Sequence, residues 1–261
     1  MHIDMSKKDN NKKAKPNTKV ELFFTIVPVL LAILFLWRSI PDGVYRLDLG
    51  QSQVGEKAIA LTFDDGPSGH TERLLDGLAQ YGAKASFFVI GTQAEKRPEV
   101  VKRAYDEGHL IGNHTYDHPN FYITPDSISI ESIEKGEAVI ESIIGEKPLF
   151  LRAPYGNVWP HQLKHFDRIF IHWTFHTFDW DKDDSQVVYE DIMAKAGDGS
   201  IILLHDTRPA TVDAVLKAIP ELQAEGYELV RVDELLTRNG DSLKMGVPYR
   251  KCEFEKGALI F

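Results

Sequence analysis

The stretch "AIALTFDDGPSG" (residues 58–69) decides the fold: an apolar run ends on two adjacent carboxylates, Asp64 and Asp65, and then on a Gly-Pro turn. Six residues of this kind read as a strand buried on both faces, which is the habit of a parallel sheet covered by helices. One aspartate would suit the turn. Two side by side repel each other and need open water or a cation. In parallel α/β folds the loops at the C-terminal ends of the strands carry the chemistry, so the pair stands where a site is expected.

Strand and helix patterns alternate along the rest of the chain. Strands are expected over 58–63, 85–89, 109–112, 149–151, 170–174, 201–204 and 228–230. Helices are expected near 71–81, 92–107, 125–144, 185–196 and 210–225, and Gly82, Gly108, Gly145 and Gly226 follow helical patterns as C-terminal caps do. Residues 159–167 leave room for a short helix only, and the tail after 238 could add one strand. Seven strands in roughly 180 residues suggest an α/β chain closed into a complete or an incomplete barrel. The expected organisation is a basic tail (1–20), a membrane anchor (21–40), a linker (41–54), the barrel (55–237) and a C-terminal extension (238–261).

The 261 residues carry a formal charge of −9, unevenly spread. Residues 1–40 hold seven Lys/Arg against three acids, a net +4, which leaves 23 basic and 36 acidic residues, or −13, for the remainder. An acidic globular part argues against nucleic-acid binding. A single cysteine, Cys252, excludes an internal disulfide framework. The 16 residues "LFFTIVPVLLAILFLW" (22–37) follow six lysines and read as a transmembrane helix extended by its flanks, with the N-terminus in the cytoplasm. A cleaved signal peptide would need small residues near its end, and Trp37–Asp42 offer none in that pattern. Everything after about residue 41 is then expected outside the cell, held at the membrane, with no obligate protein partner evident.

The unusual polar residues fall at strand ends. "NHTYDHP" (113–119) follows the third strand, "RAPYG" (152–156) closes the fourth, "HTFDWDKDD" (176–184) comes after the fifth, and "HD" (205–206) ends the sixth. His114 and His118 have the i, i+4 spacing that points two imidazoles to one spot on a helical turn. With one carboxylate they make a His2Asp metal site that leaves a coordination position for water, while the second aspartate could serve as a base. Asp206 suits a helix cap or a site role equally. His161, His165 and His172 share no ligand geometry and read as solvated or packed.

"TFDDG", "HTYDH", "RAPYG" and "LLHD" together resemble the motifs of the polysaccharide deacetylases, the NodB-like carbohydrate esterases, across about residues 55–236. The resemblance implies a distorted (β/α)7 barrel and metal-dependent removal of acetyl groups from sugars, with Zn2+ first and Co2+ or Ni2+ as alternatives. It makes Asp64 the base, Asp65, His114 and His118 the ligands, and His205 the acid. Arg152 would steady Asp64, and the Tyr155 backbone N–H would help hold the oxyanion. Trp180 and Pro154 would line the substrate groove. His176 stands where the family places an aspartate that keeps the acid histidine protonated, which leaves Asp179 as a possible substitute. A membrane tether makes cell-wall peptidoglycan the leading glycan substrate. O-acetylated xylan, chitooligosaccharides or a non-catalytic glycan-binding role are the alternatives, and a metal phosphodiesterase would need a second bridging carboxylate.

Overall fold

A computed structural model describes residues 57–251, together with the backbone of residues 44–45. The apolar segment 22–37 and the expectations for residues 1–43, 46–56 and 252–261 lie outside these. Among the described residues no helix is long and apolar enough to cross a membrane.

In chain order the elements are β1 (Val44–Tyr45), β2 (Lys57–Asp64), α1 (Thr71–Gln80), β3 (Ala85–Val89), α2 (Gly91–Ala94), α3 (Pro98–Asp106), β4 (Leu110–Asn113) and α4 (Asp126–Ile144). They continue with β5 (Phe150–Leu151), α5 (Pro160–His165), β6 (Ile169–Ile171), β7 (Phe175–His176), α6 (Ser185–Lys195) and β8 (Ile201–His205). The last are α7 (Pro209–Ala224), β9 (Tyr227–Leu229), α8 (Val232–Thr237), β10 (Leu243–Lys244) and β11 (Pro248–Tyr249). Strands run β11-β6-β5-β4-β3-β2-β8-β7, with β9 also paired to β2. All these pairings are parallel, so the sheet curls into a half-barrel flanked by helices, as a distorted (β/α) barrel requires.

β2 explains itself by parity, because successive side chains on a strand point to opposite faces. Ile59, Leu61 and Phe63 pack with Leu74, Leu75 and Leu78 of α1 and with Val212 and Val215 of α7. Ala58 and Ala60 belong to a second cluster, with Phe88, Ile169 and Ile201, on the other face. Thr62 and Asp64 continue that second face toward the end of the strand. β8 repeats the arrangement, and its register sets His205 directly beside Asp64.

Three expectations change. The helix over 92–107 is two pieces, because the residue before Pro98 is driven out of helical conformation: Arg97 has φ −140° and ψ 56°. The strand over 170–174 stops at Ile171. That piece pairs β5 and β11, and residues 172–174 then lead across to β7, which pairs β8 at the far edge of the sheet. The tail contributes two short strands instead of one.

Candidate active site

Strand parity delivers Asp64 to one face, and the next residue then turns sharply. Asp65 has φ 69°, a left-handed conformation costly for a residue with a side chain. Thr115, His118, Tyr155 and Phe178 share that conformation, and all lie in the loops that carry the site. Strain of this kind persists only where surrounding contacts over-determine the backbone.

The turn bearing the two histidines shows how this is done. Residues 114–118 do not form the helical turn expected from their spacing. Instead the Thr115 hydroxyl accepts from the His118 N–H at 3.0 Å, and Asn113 Oδ1 accepts from the Thr115 N–H at 2.8 Å. Asn113 is itself anchored by donating to the Ile133 carbonyl of α4 at 2.9 Å. The outcome is still convergent, with the two imidazole centroids 4.9 Å apart.

Asp65 Oδ1 lies 3.4 Å from Nε2 of both His114 and His118. Carboxylate and imidazole nitrogens converge here within 4.8 Å of one another. Asp65 Oδ1 is buried without a hydrogen-bond partner, which is the signature of an atom set for a cation. His114 Nδ1 sits 2.7 Å from the Arg152 carbonyl, which can only accept, so the proton is on Nδ1 and the Nε2 lone pair faces Asp65. The residues present therefore fit a divalent metal held by two nitrogens and one oxygen. Burial works against the ionised form of Asp65, yet the facing imidazoles of His114, His118 and His205 outweigh it and hold the carboxyl at about 2. Burial likewise opposes charge on His114, and the two aspartates overcome it and raise its pKa.

Asp64 is buried and flanks this group, with Oδ2 3.7 Å from His114 Nε2. Its other oxygen accepts from Arg152 Nη1 at 2.8 Å. Arg152 is 0% exposed and has no freedom left. Nη1 also donates to Thr62 Oγ1 at 2.8 Å, Nε to the Ile171 carbonyl at 3.0 Å, and Nη2 to the His172 carbonyl at 3.0 Å. Removing either partner of such a buried pair strands the other charge, at about 3–5 kcal/mol. Thr62 was not singled out from the sequence, although it is the one polar residue in the run and has the same parity as Asp64.

Across the ligand group stands His205. Its Nδ1 meets Asp179 Oδ1 at 3.0 Å, while Asp179 Oδ2 accepts from the His205 N–H at 2.7 Å and from Thr211 Oγ1 at 2.8 Å. Burial disfavours the imidazolium, but the bonded Asp179 carboxylate, with Asp64 and Asp65 beyond, raises the His205 pKa to about 9. The position of His176 thus carries no partner for His205. His176 Nδ1 has no hydrogen bond, and its ring stacks on Trp180 at 5.4 Å. Thr211 had no signal in the sequence, since its contact spans 32 residues.

Trp180 is half exposed and sets its ring edgewise on His205 at 5.5 Å, in keeping with a groove wall. Tyr155 packs its ring on His118 at 4.6 Å, next to the ligand group. Pro154 is buried at the start of that turn, so it shapes the turn and offers no wall, a correction to the expected groove lining. Asp206 is no helix cap either: α7 has no side-chain cap, and buried Asp206 accepts from the Thr71 hydroxyl. Of the histidines read as solvated or packed, His161 and His165 are exposed and His172 is buried against Trp173, and none joins the ligand group.

The family model for polysaccharide deacetylases matches residues 51–166. A peptidoglycan-N-acetylglucosamine deacetylase of Bacillus cereus is 37% identical over 185 residues, covering 68% of this chain and 67% of its own. The peptidoglycan-N-acetylglucosamine deacetylase PgdA of Listeria monocytogenes is 36% identical over 213 residues, 81% of this chain, and the chain spans 45% of that longer relative. In three dimensions, a family 4 acetyl xylan esterase from Clostridium thermocellum, solved with a cobalt ion, superposes with TM-score 0.71 at 32% identity, over 76% of this chain and 100% of that one. The chain belongs to the polysaccharide deacetylase family.

Proposed function

We propose that this enzyme hydrolyses the N-acetyl group of N-acetylglucosamine in peptidoglycan, outside the cell, while residues 21–40 hold it to the membrane with the basic tail in the cytoplasm. The observation that carries the reading is one layout: a base locked by arginine and an acid locked by aspartate stand on adjacent strand ends, with the Asp65–His114–His118 group beside both. Amide hydrolysis needs these parts together, because the amine is a poor leaving group without a proton.

A bound cation, Zn2+ first and Co2+ or Ni2+ as alternatives, would supply Lewis acidity toward water and the acetyl oxygen. The chain's own residues do the rest. Asp64 takes a proton from the attacking water, and its tie to Arg152 keeps it from rotating away. As the new C–O bond forms, the backbone N–H of Tyr155 supports the developing oxyanion. His205 then gives its proton to the sugar nitrogen as the C–N bond breaks, releasing acetate and a free amine. The peptidoglycan deacetylases among its relatives support the substrate. Likeness to an acetyl xylan esterase makes O-acetyl removal from xylan the second reading.

The test is acetate release by the full-length protein from purified peptidoglycan, chitooligosaccharides and acetylated xylan, with added zinc. Zinc-dependent acetate from peptidoglycan that is absent in Asp64→Asn and after chelation is the expected result. Acetate from xylan alone would overturn the substrate, and none from any polymer by metal-loaded, folded protein would overturn the activity.

A further inference from the structure

Two aromatic side chains outside the machinery just described remain unexplained. Tyr122 and Trp159 are each 44% exposed, come from loops 37 residues apart, and pack on one another with ring centroids 4.4 Å apart and planes tilted by 35°. Exposed apolar surface that is contiguous and held in place marks a binding site more often than chance.

The support beneath the pair is buried and polar. Gln162 is buried; its Oε1 accepts from the Trp159 N–H at 2.9 Å, and its Nε2 donates to the Phe121 carbonyl at 3.0 Å and to Asp126 Oδ1 at 2.7 Å. Asn120 Oδ1 accepts from the Tyr122 N–H at 3.0 Å and from Asn157 Nδ2 at 3.1 Å, which ties one loop to the other. Phe121 directly precedes Tyr122 and is buried edge-on against Phe166 at 5.3 Å. Both exposed rings are thus fixed before anything binds, and binding then orders little.

Their place relative to the site follows from the chain. Tyr122 is four residues beyond His118 and Trp159 four beyond Tyr155, and the rings of His118 and Tyr155 touch. Four residues reach at most about 14 Å, so each ring starts within that distance of the His118–Tyr155 contact. Trp180 packs against His205. A polymer with its acetamido group between Asp64 and His205 would extend over one aromatic wall or the other. A sugar ring has an apolar face of C–H bonds and a rim of hydroxyls, which matches a half-exposed ring bordered by the amides of Asn120 and Asn157.

We propose that Tyr122 and Trp159 form a distal sugar-stacking subsite that makes the enzyme prefer long glycan chains. This rests on the function proposed above. In the full-length zinc-loaded protein, kcat and KM would be measured on N-acetylglucosamine oligomers from dimer to hexamer. Trp159→Ala and Tyr122→Ala are expected to raise KM for the hexamer about tenfold, a change worth one stacking contact, with kcat and the dimer constants unchanged. Trp159→Phe is expected to recover most of the loss. Equal losses at every length would mean a structural effect on the site, and unchanged hexamer kinetics would leave the pair without this role; either overturns the proposal. Should the wild type bind the hexamer without releasing acetate, the function fails separately, and calorimetric affinity of wild type against Trp159→Ala still decides the subsite. A wild type that neither hydrolyses nor binds the hexamer would overturn both.

Discussion

At His205 the ring Nδ1 and the backbone N–H reach opposite oxygens of one carboxylate, so Asp179 can neither rotate nor leave without breaking two bonds. The sign of its effect follows. With the pKa at about 9 against an ordinary 6.5, His205 keeps its proton through neutral pH and loses it only as pH rises through 9. Activity that needs this acid should therefore fall on the alkaline side. In Asp179→Asn the charge is gone while the burial that disfavours imidazolium stays, so the alkaline limb moves down toward 6.5 or below. At pH 8 the protonated fraction then drops roughly thirtyfold, and kcat/KM should drop with it. A pH–rate profile checks this, and an unmoved alkaline limb would refute it. His176→Asp makes the complementary case. The ring it removes stacks on Trp180 and meets Phe178 at 3.9 Å, and a carboxylate there would sit among aromatic faces while His205 Nδ1 is already bonded to Asp179. Restoring the family's aspartate is expected to give no gain in kcat/KM, and a several-fold gain would show that His176 limits the enzyme.

Between residue and fold stands the 114–118 turn, which is braced by α4 from behind. The Tyr116 N–H donates to the Ser132 carbonyl at 2.9 Å, and Gly136 lies so close that a Cβ there would fall 2.5 Å from Asn113 Oδ1 and 2.9 Å from the Thr115 carbonyl carbon. Gly136→Ala must push the helix and the turn apart. Overpacking of this kind costs about 1–3 kcal/mol, and displacing support behind metal ligands weakens metal binding roughly 10–100-fold. Melting temperature and zinc affinity by chelator competition would read both; intact zinc affinity in the variant would show that the turn stands alone. This element also marks the limit of what was legible. The His-x3-His spacing announced convergence on one point, but the left-handed residues that achieve it answer to α4, about twenty residues away, and no local pattern records that. The end of the strand at Ile171 has the same origin, since the pairing of β6 with β5 and β11, and of β7 with β8, decides where each strand stops. By contrast, the parity of Thr62 with Asp64 and the break before Pro98 were there to be read.

Across the whole molecule, the strand direction separates chemistry from stability. The ligand group, Asp64 and His205 sit at or beyond the C-terminal ends of β2, β4 and β8, while His109 precedes β4 at the opposite end. His109 is buried, and its Nδ1 accepts from the Ala85 N–H at 3.1 Å. Burial first, then the charges of Lys84, Arg231 and Arg103, push its pKa down to about 4. The unfolded chain takes up this proton near 6.5 and the folded chain only near 4, so between those values unfolding binds one proton more. Stability then rises with pH across the window by about 1.4 kcal/mol per unit and is lost as pH falls toward 4. Asn at 109 keeps an acceptor for the Ala85 N–H and removes the titrating ring. His109→Asn is therefore expected to flatten the slope of unfolding free energy against pH between 4.5 and 6.5 by about one proton. Acetate release at pH 7 should stay as in the wild type, because the substitution is at the far end of the strands. Urea unfolding across that range measures the slope. If the slope does not change, the acid sensitivity belongs to other groups, with buried His172, held at about 3, the next to replace.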